Sequence, residues 1–206
     1  MTPTSTDPWP IELPGSSGGE LCRLRDGTLV RIRPVEPSDR AGVLEFLHLL
    51  SRDSLELRFF SAVTAEVVAG EILEGKVWPD RLSLILETVD PRPPQIVGHA
   101  EYVRSPQDGT RAEVAFLIAD HHQGQGAGTL LLRQLARWAR KAEIRTFDAV
   151  VMAENRAMLD VFTGAGFPNI TVWEGTEARV ELDIARDPRS ALVPVIRTGD
   201  CEVAVV

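Results

Sequence analysis

The segment from His122 to Thr129, with the sequence HQGQGAGT, most constrains what this chain can fold into. It follows the apolar run AEVAFLIA at 112–119 and precedes a segment whose apolar residues recur every three or four positions. Glycine tolerates left-handed dihedrals and lets the backbone approach a ligand closely. Because the first N–H groups of a helix lack intrahelical partners, a glycine loop that opens a helix favours anions. The pattern therefore predicts a strand, a tight phosphate-binding loop and an amphipathic helix in succession.

Three other interpretations of this loop differ in spacing and context. A nucleotide P-loop ends in Gly-Lys-Ser/Thr, whereas here Thr129 follows Gly128 without a lysine. A dinucleotide site places its glycines in the first strand-to-helix turn of a parallel unit, with an acidic residue about twenty positions on. Glu143 and Asp148 lie near that distance, but the loop lies past mid-chain and lacks repeated strand–helix alternation. A glycine turn that merely links strand and helix is the third alternative.

A second pattern follows at the distance of one helix and one strand: ENRAM at 154–158, then Phe162, then Gly166-Phe167. Together the two patterns resemble the GNAT superfamily of acyl-CoA N-acyltransferases over about residues 28–184. The resemblance implies an α/β GNAT fold, with a mixed, mostly antiparallel twisted sheet flanked by helices on both faces. It further implies that the glycine loop binds the diphosphate of acetyl-CoA and that a helix opened by Asn155 flanks the pantetheine arm.

The residues that this resemblance assigns to acetyl-CoA belong to one strand, the glycine loop and one helix. They are Phe116, Leu117, Ile118, Gln123, Gly124, Gln125, Gly126, Ala127, Gly128, Thr129, Asn155 and Phe162. Family precedent places the thioester against strand residues 116–118, where a bulge opens a gap and backbone N–H groups polarise the acyl carbonyl. Phe162 occupies the position where many members carry a tyrosine that protonates the leaving thiolate. Tyr102, the only tyrosine, is the candidate substitute.

A general base is required because an ammonium with an ordinary pKa of about 10.4 cannot attack a thioester before it is deprotonated. Glu113 is the predicted base, since it is a lone carboxylate in the otherwise apolar strand 112–118, where partial burial would favour proton acceptance. Bacterial protein lysine acetyltransferases have their general base in a similar Ala-Glu-x-Ala stretch. A solvated carboxylate at a strand end is the alternative, and the reserve candidates are Glu101, Glu87 and Asp120.

The acceptor is predicted from a third segment, SRDSLELRFF at 51–60. It resembles a helical region of bacterial protein lysine acetyltransferases, which implies a protein lysine as the amine acceptor. A small-molecule amine acetyltransferase is the alternative enzyme. A non-catalytic acyl-CoA sensor is the alternative from a different class, because Phe162 replaces the acid tyrosine.

Composition limits the partners and the domain organisation. With 206 residues and 44% hydrophobic content, the chain fits one enzyme domain at 21–186, preceded by a flexible Pro/Gly/Ser/Thr-rich segment at 1–20 and followed by a tail at 187–206. The formal net charge of −8 argues against a nucleic-acid partner, which needs a basic surface. It suits a cationic acceptor such as a lysine.

Metal, membrane and disulfide signals are weak. Cys22 and Cys201 lie near opposite ends of the chain and outside the motif region, so neither a disulfide framework nor a cysteine nucleophile is expected. His121 and His122 are adjacent and point apart on a strand end, which predicts no metal site. No run approaches eighteen apolar residues and the start lacks a signal pattern, so we expect a cytoplasmic protein without a membrane partner.

Periodicity and turn residues predict the order of elements. A hairpin turns at Asp26-Gly27, and the arginines at 23, 25, 31 and 33 alternate along it, which is typical of a solvated face; contact with the coenzyme's 3′-phosphate is the alternative. The remaining predicted elements are a helix from Pro37, helices 53–60 and 65–73, a meander of strands 82–88, 95–104 and 111–119, helix 126–142, strand 147–153, helix 155–163, and a hairpin of 171–174 with 179–184.

Overall fold

The alternating strand segments assemble into one sheet of ten strands in the computed structural model, which describes residues 19–59, 64–74, 76–90, 93–186, 188 and 203–205. The predicted flexible segment at 1–20 and the predicted tail at 187–206 lie almost entirely outside the described residues. So does Phe60, the predicted last residue of the second helix.

The strands are β1 (Glu20–Arg23), β2 (Leu29–Pro34), β3 (Lys76–Val77), β4 (Arg81–Thr88), β5 (Ile96–Arg104), β6 (Arg111–Ile118), β7 (Thr146–Met152), β8 (Asn169–Glu174), β9 (Glu177–Asp183) and β10 (Val203–Val205). The helices are α1 (Arg40–Leu49), α2 (Arg52–Phe59), α3 (Ala65–Glu74), α4 (Ala127–Lys141) and α5 (Arg156–Gly164). Short 3-10 turns precede α1 (Pro37–Asp39) and α4 (Asp120–His122). The predicted elements therefore appear in the predicted order, with most boundaries shifted by one or two residues. The short strands β3 and β10 were not predicted, and α1 begins at Arg40 because the segment from Pro37 forms a 3-10 turn.

The strand order is β1-β2-β4-β5-β6-β7-β9-β8-β10, and β3 pairs with β4. Every pairing is antiparallel except that of β6 with β7, which is parallel. The sheet is thus mixed and mostly antiparallel, as predicted. The helix α4 follows β6 and returns the chain to β7, because parallel neighbours need a long crossover connection.

Helices cover both faces of the sheet. Successive side chains of a strand point to opposite faces, so Gly98 and Glu101 of β5 mark different sides. A Cβ at Gly98 would lie 3.3 Å from Leu131 of α4, whereas Glu101 pairs with Arg58 of α2. The predicted apolar stripe of α4 is buried against the sheet and consists of Leu131, Leu135, Trp138, Ala139 and Ala142. This arrangement confirms an α/β fold with helices on both faces.

A buried polar pair lies on the α2 side of the sheet. The Nε2 atom of His99 lies 2.6 Å from the Oγ atom of Ser83, and His99 is only 2% exposed. Burial lowers the pKa of His99 to about 4, although the nearby Glu101 opposes this change. The imidazole is therefore neutral at neutral pH.

We expect this histidine to make folding sensitive to acid. Its ordinary pKa is 6.5, so between pH 6.5 and about 4 the unfolded chain binds a proton that the folded chain does not. The free energy of unfolding should fall as the pH falls through this window, by about 3 kcal/mol in total from this group. Denaturant titrations at several pH values measure it. The His99→Gln variant, which keeps a hydrogen-bonding side chain without titrating, should flatten the slope; an unchanged slope contradicts the assignment.

Candidate active site

The site begins where two neighbouring strands part. β6 pairs with β7 over three positions, Arg111 with Thr146, Ala112 with Phe147, and Glu113 with Asp148. Beyond these pairs β6 continues with β5 and β7 continues with β9, so the strand edges that face each other carry backbone groups without a strand partner. An extended ligand with amide groups can hydrogen-bond to such edges.

The gap does not arise from a bulge. The β5–β6 register runs without interruption from Gly98 opposite Ile118 to Arg104 opposite Ala112. The bulge predicted at 116–118 is therefore wrong. The irregularity in this part of the sheet lies between β4 and β5, at Leu86 and Glu87. The gap opens instead because β6 and β7 diverge after Glu113.

The parted strands form the walls of a cleft of about 420 Å³. At its base Phe116 and Phe162 pack edge to face with ring centroids 6.0 Å apart, and Phe162 is 1% exposed. Eleven of the twelve residues predicted to contact the coenzyme line this one cleft: Phe116, Leu117, Ile118, Gln123, Gly124, Gly126, Ala127, Gly128, Thr129, Asn155 and Phe162. The sequence motifs thus converge on a single cleft.

Glycine is required at three positions of the loop, for two different reasons. Gly124 and Gly126 have φ values of 71° and 91°, in the left-handed region that favours glycine. At Gly128, inside α4, a Cβ would lie 2.8 Å from the Cγ2 atom of Val161, so glycine there permits close packing of α4 on α5. Among the described residues, no side chain caps the first turn of α4, which leaves its amides available to an anion. The loop therefore fits the diphosphate of a coenzyme.

The two glutamines of the loop have structural contacts. The Nε2 atom of Gln123 donates to the carbonyl oxygen of Ile118 at 3.2 Å and to Asp120 at 3.2 Å, so this side chain braces the loop. Gln125 is the predicted coenzyme residue that does not line the cleft. Its side chain turns back to donate to the carbonyl oxygen of His121 at 3.0 Å, and its assignment to the coenzyme stays a prediction.

Asn155 lies at the start of α5, as predicted. Its Oδ1 atom accepts a hydrogen bond from the backbone N–H of Met158 at 3.1 Å, so the side chain caps the helix. The same residue lines the cleft. The cap fixes where α5 begins and therefore where Phe162 enters the cleft.

Glu113 lies at the point where β6 and β7 part, and it lines the cleft. Its side chain is exposed, so the expected partial burial is wrong. The apolar residues on either side of Glu113 in the sequence predict a buried position. The divergence of β6 and β7 instead opens this part of the sheet to solvent. A base at the mouth of a cleft can be reached by an acceptor from outside.

Glu101, a reserve candidate for the base, is held in ion pairs. Its carboxylate lies 2.7 Å from Arg81 and 3.3 Å from Arg58. Burial alone would raise the pKa of Glu101, but His99 and the two guanidinium groups bring it below its ordinary value. A carboxylate with a lowered pKa is a poor proton acceptor, and Glu101 is not among the residues that line the cleft.

The other two reserve carboxylates are also committed elsewhere. Glu87 is buried and pairs with Arg31 at 3.2 Å and Arg33 at 2.9 Å. Asp120 accepts hydrogen bonds from the backbone of Ser51 at 3.0 Å and from the hydroxyl of Ser54 at 2.6 Å. It thereby ties the start of α2 to the glycine loop. Among the four carboxylates considered from sequence, Glu113 is the one that lines the cleft.

Tyr102 cannot replace the missing acid tyrosine. It is fully buried on the α4 side of the sheet, packs against Phe147, and donates its hydroxyl to the carbonyl oxygen of Pro79 at 3.2 Å. Burial raises its pKa well above the ordinary value. Since it is the only tyrosine of the chain, no tyrosine lines the cleft.

Several lining residues were not predicted individually. α2 contributes Ser54, Leu57 and Arg58, and the segment around α5 contributes Glu154 and Asp160. The Arg58 guanidinium is largely buried, which lowers its pKa, while Glu101 and Glu113 act in the opposite direction. Only the resemblance of the 51–60 segment pointed to α2, because its sequence carries no chemical motif of its own.

The described part of the chain has neither a metal-binding cluster nor a membrane-spanning helix. It contains no grouping of three or more His, Cys, Asp or Glu residues able to hold a metal ion. Within the same residues, no helix combines the length and apolar character needed to cross a membrane.

The sequence of this chain is similar to those of known proteins. Residues 54–167 match the sequence profile of the acetyltransferase (GNAT) family. The chain is 28% identical over 172 residues to the acetyltransferase Pat of Mycolicibacterium smegmatis, covering 84% of this chain and 50% of that protein. It is 30% identical over 145 residues to an acetyltransferase of Pseudomonas aeruginosa, covering 70% of this chain and 77% of that one.

A solved structure agrees with the sequence comparisons. The crystal structure of the GNAT domain of S. lividans PAT superposes with a TM-score of 0.70 at 29% identity, covering 80% of this chain and 96% of that domain. The chain spans about half the length of the Mycolicibacterium relative, so the likeness concerns one part of that protein. The family profile covers more than half of the chain and includes the glycine loop and every lining residue of the cleft except Arg25. This chain belongs to the acetyltransferase (GNAT) family.

Proposed function

We propose that this chain is an acetyl-CoA-dependent N-acetyltransferase that acetylates lysine side chains of proteins, with Glu113 as general base. The observation that supports this most is that one cleft joins the glycine loop to a carboxylate. Glu113 and Ile118, the last residue of β6 before the loop, are roughly 17 Å apart along the strand at about 3.4 Å per residue. A long donor molecule can therefore bind at the loop with its reactive end near Glu113.

Each wall of the cleft has a distinct task in this proposal. Amides at the start of α4 bind the diphosphate. The open backbone edge of β6, from Val114 to Ile118, orients the arm of the donor and polarises its acyl carbonyl. Phe116 and Phe162 exclude water from the thioester end.

Glu113 removes a proton from the acceptor ammonium, which makes its nitrogen nucleophilic. The nitrogen bonds to the acetyl carbon while the C–S bond breaks, and a thiolate departs. The nitrogen then carries one proton more than the amide product, and water accepts that proton. With Phe162 in place of the acid tyrosine, water supplies the proton to that thiolate. Direct transfer in a ternary complex requires no cysteine nucleophile. Cys22, the cysteine within the described part of the chain, is not among the residues that line the cleft, and Cys201 lies outside the described residues.

The exposed position of Glu113 supports a protein acceptor. A lysine attached to a large body can reach a base at the mouth of a cleft, whereas a small amine is typically enclosed by its site. Glu154 and Asp160 add negative charge to the lining, which favours a cationic acceptor. A small-molecule amine acetyltransferase is the alternative within enzymes.

A non-catalytic acyl-CoA sensor is the second candidate function, supported by Phe162 and by the burial of Tyr102. Turnover separates the two candidates. We expect the purified chain to bind acetyl-CoA in a calorimeter and to release free CoA when an amine acceptor is added. Binding without turnover on any lysine peptide or free amine favours the sensor.

Incubation with labelled acetyl-CoA and a cell lysate tests the acceptor class. We expect label to enter polypeptides and to survive mild alkali, which removes thioesters and O-acetyl esters. Complete digestion of the labelled protein by proteases should then yield labelled Nε-acetyllysine. The Glu113→Gln variant in the same lysate is the control, since it shows the label that enters by spontaneous acetylation and through the lysate's own enzymes. Label confined to free amines removes the protein-acetylation proposal.

A further inference from the structure

The turn between β1 and β2 lies against the glycine loop. The backbone N–H of Arg25 donates to the carbonyl oxygen of Gln125 at 3.0 Å, and its Nη1 atom donates to the carbonyl oxygen of Gly124 at 3.4 Å. A Cβ at Gly126 would lie 3.7 Å from the Nε atom of Arg25. Arg25 also lines the cleft. The hairpin therefore brings a guanidinium group to the start of α4.

The predicted solvated face of the hairpin holds for Arg23 and Arg25, which are exposed, and is wrong for Arg31 and Arg33. Arg31 and Arg33 form part-buried ion pairs with Glu87, and Arg33 also pairs with Asp39 at 2.8 Å. Arg25 has a different environment from both. Its neighbour Asp26 accepts hydrogen bonds from the backbone and hydroxyl of Thr28, at 2.9 and 2.8 Å, and thereby stabilises the turn.

The charge of Arg25 has no carboxylate partner among the residues that the structure describes. It lies beside the positive end of the α4 dipole, where a cation is disfavoured unless an anion is also present. His122 lines the same end of the cleft, and its buried Nδ1 atom has no hydrogen-bond partner in the described part of the chain. The side chains of Arg25 and His122 thus flank the glycine loop, whose unpaired backbone groups are N–H donors.

We propose that Arg25 is a phosphate-binding residue, which closes the site opposite the amides of the glycine loop and binds the diphosphate of acetyl-CoA. This inference rests on the proposed function and adds a side-chain donor from a separate hairpin. A guanidinium fork matches two phosphate oxygens in a geometry that a lysine cannot reproduce. The diphosphate is the phosphate expected here because the contacts of Arg25 are to Gly124 and Gly126 of the loop.

The Arg25→Gln variant tests the proposal, with Arg23→Gln as its matched control. Arg23 lies two residues earlier on the same hairpin, donates to the carbonyl oxygen of Gly27 at 2.9 Å, and is absent from the cleft lining. Both variants remove one positive charge. In calorimetric titrations with CoA, we expect Arg25→Gln to raise Kd by about 10- to 100-fold, as for loss of a charge-assisted hydrogen bond. Arg23→Gln should stay within about 2-fold, because exposed charges act weakly at a distance.

Dephospho-CoA, which lacks the 3′-phosphate, identifies the phosphate involved. If Arg25 binds the diphosphate, Arg25→Gln weakens CoA and dephospho-CoA by the same factor. A loss seen with CoA and absent with dephospho-CoA overturns the diphosphate assignment and transfers the contact to the 3′-phosphate. Arg25→Lys should recover only part of the affinity, since it restores charge without the fork.

Two outcomes separate this inference from the proposed function. Equal CoA affinity of wild type and Arg25→Gln overturns the role of Arg25 and leaves the proposed function standing. A wild-type chain that binds no CoA overturns the proposed function itself. Unfolding curves of all variants check that the hairpin turn, which is held by Asp26 and Thr28, stays folded.

Discussion

The Glu113→Gln variant should lose about 10²- to 10⁴-fold in kcat while its Kd for acetyl-CoA stays within error of wild type. Glutamine keeps the size of the side chain at the mouth of the cleft but cannot accept a proton from an ammonium. The glycine loop that binds the coenzyme lies at the opposite end of β6 and is unaffected by this change. Initial rates of CoA release with a lysine peptide give kcat, and calorimetry gives Kd.

Asp148→Asn is the control for this variant. Asp148 pairs with Glu113 in the sheet register, yet it is hydrogen-bonded to Arg111 and is absent from the residues that line the cleft. It should retain kcat within a few-fold. The deficit of Glu113→Gln should also shrink as the pH approaches about 10.4, where the acceptor arrives deprotonated. A variant that keeps wild-type kcat at neutral pH shows that Glu113 is not the base.

A β-branched residue at Gly126 should weaken acetyl-CoA binding by about 10- to 100-fold, because a non-glycine residue in the left-handed region is strained by about 1–3 kcal/mol. Gly126 has a φ of 91° immediately before α4, so relief of strain in Gly126→Val would reorient the first amides of the helix. Calorimetry with acetyl-CoA measures the loss. Gly124→Ala, at a φ of 71° with open space around it, should change affinity in the same direction without a clash.

Gly70→Ala is the matched control for these glycine variants. Gly70 lies inside α3 with open space beside it and without left-handed dihedrals. Alanine there should leave coenzyme binding intact and raise the free energy of unfolding by up to about 1 kcal/mol. If Gly126→Val binds acetyl-CoA as tightly as Gly70→Ala does, the loop amides are not the diphosphate site.

Local chemistry explains why most of the fold could be predicted from the sequence. The Asp26-Gly27 turn specifies its own hairpin, since Asp26 bonds to the backbone two residues on and Gly27 has a φ of 92°. The stripe of α4 has a period that only a helix can bury on one side. The start of α5 follows from the ability of Asn155 to cap it.

Features set by strand pairing at long range could not be obtained in this way. The apolar neighbours of Glu113 predict burial, but its exposure results from the divergence of β6 and β7, which no local pattern encodes. The alternation of arginines places them on one face of the hairpin. It does not predict that the turn at Arg25 contacts the glycine loop, which lies 99 residues later in the sequence. His99 is buried because Ser83, on the neighbouring strand, satisfies its ring nitrogen.

The three residue pairs between β6 and β7 form a short seam in a ten-stranded sheet. On one side β5 holds β6 over seven paired positions, and on the other β9 holds β7 over seven. Interstrand opening should therefore occur first at this seam, since it has the fewest ladder bonds of these three junctions. A donor bound in the cleft would hydrogen-bond to the facing edges of β6 and β7 and so add a connection between the two parts of the sheet. Its binding should therefore reduce opening between these two strands.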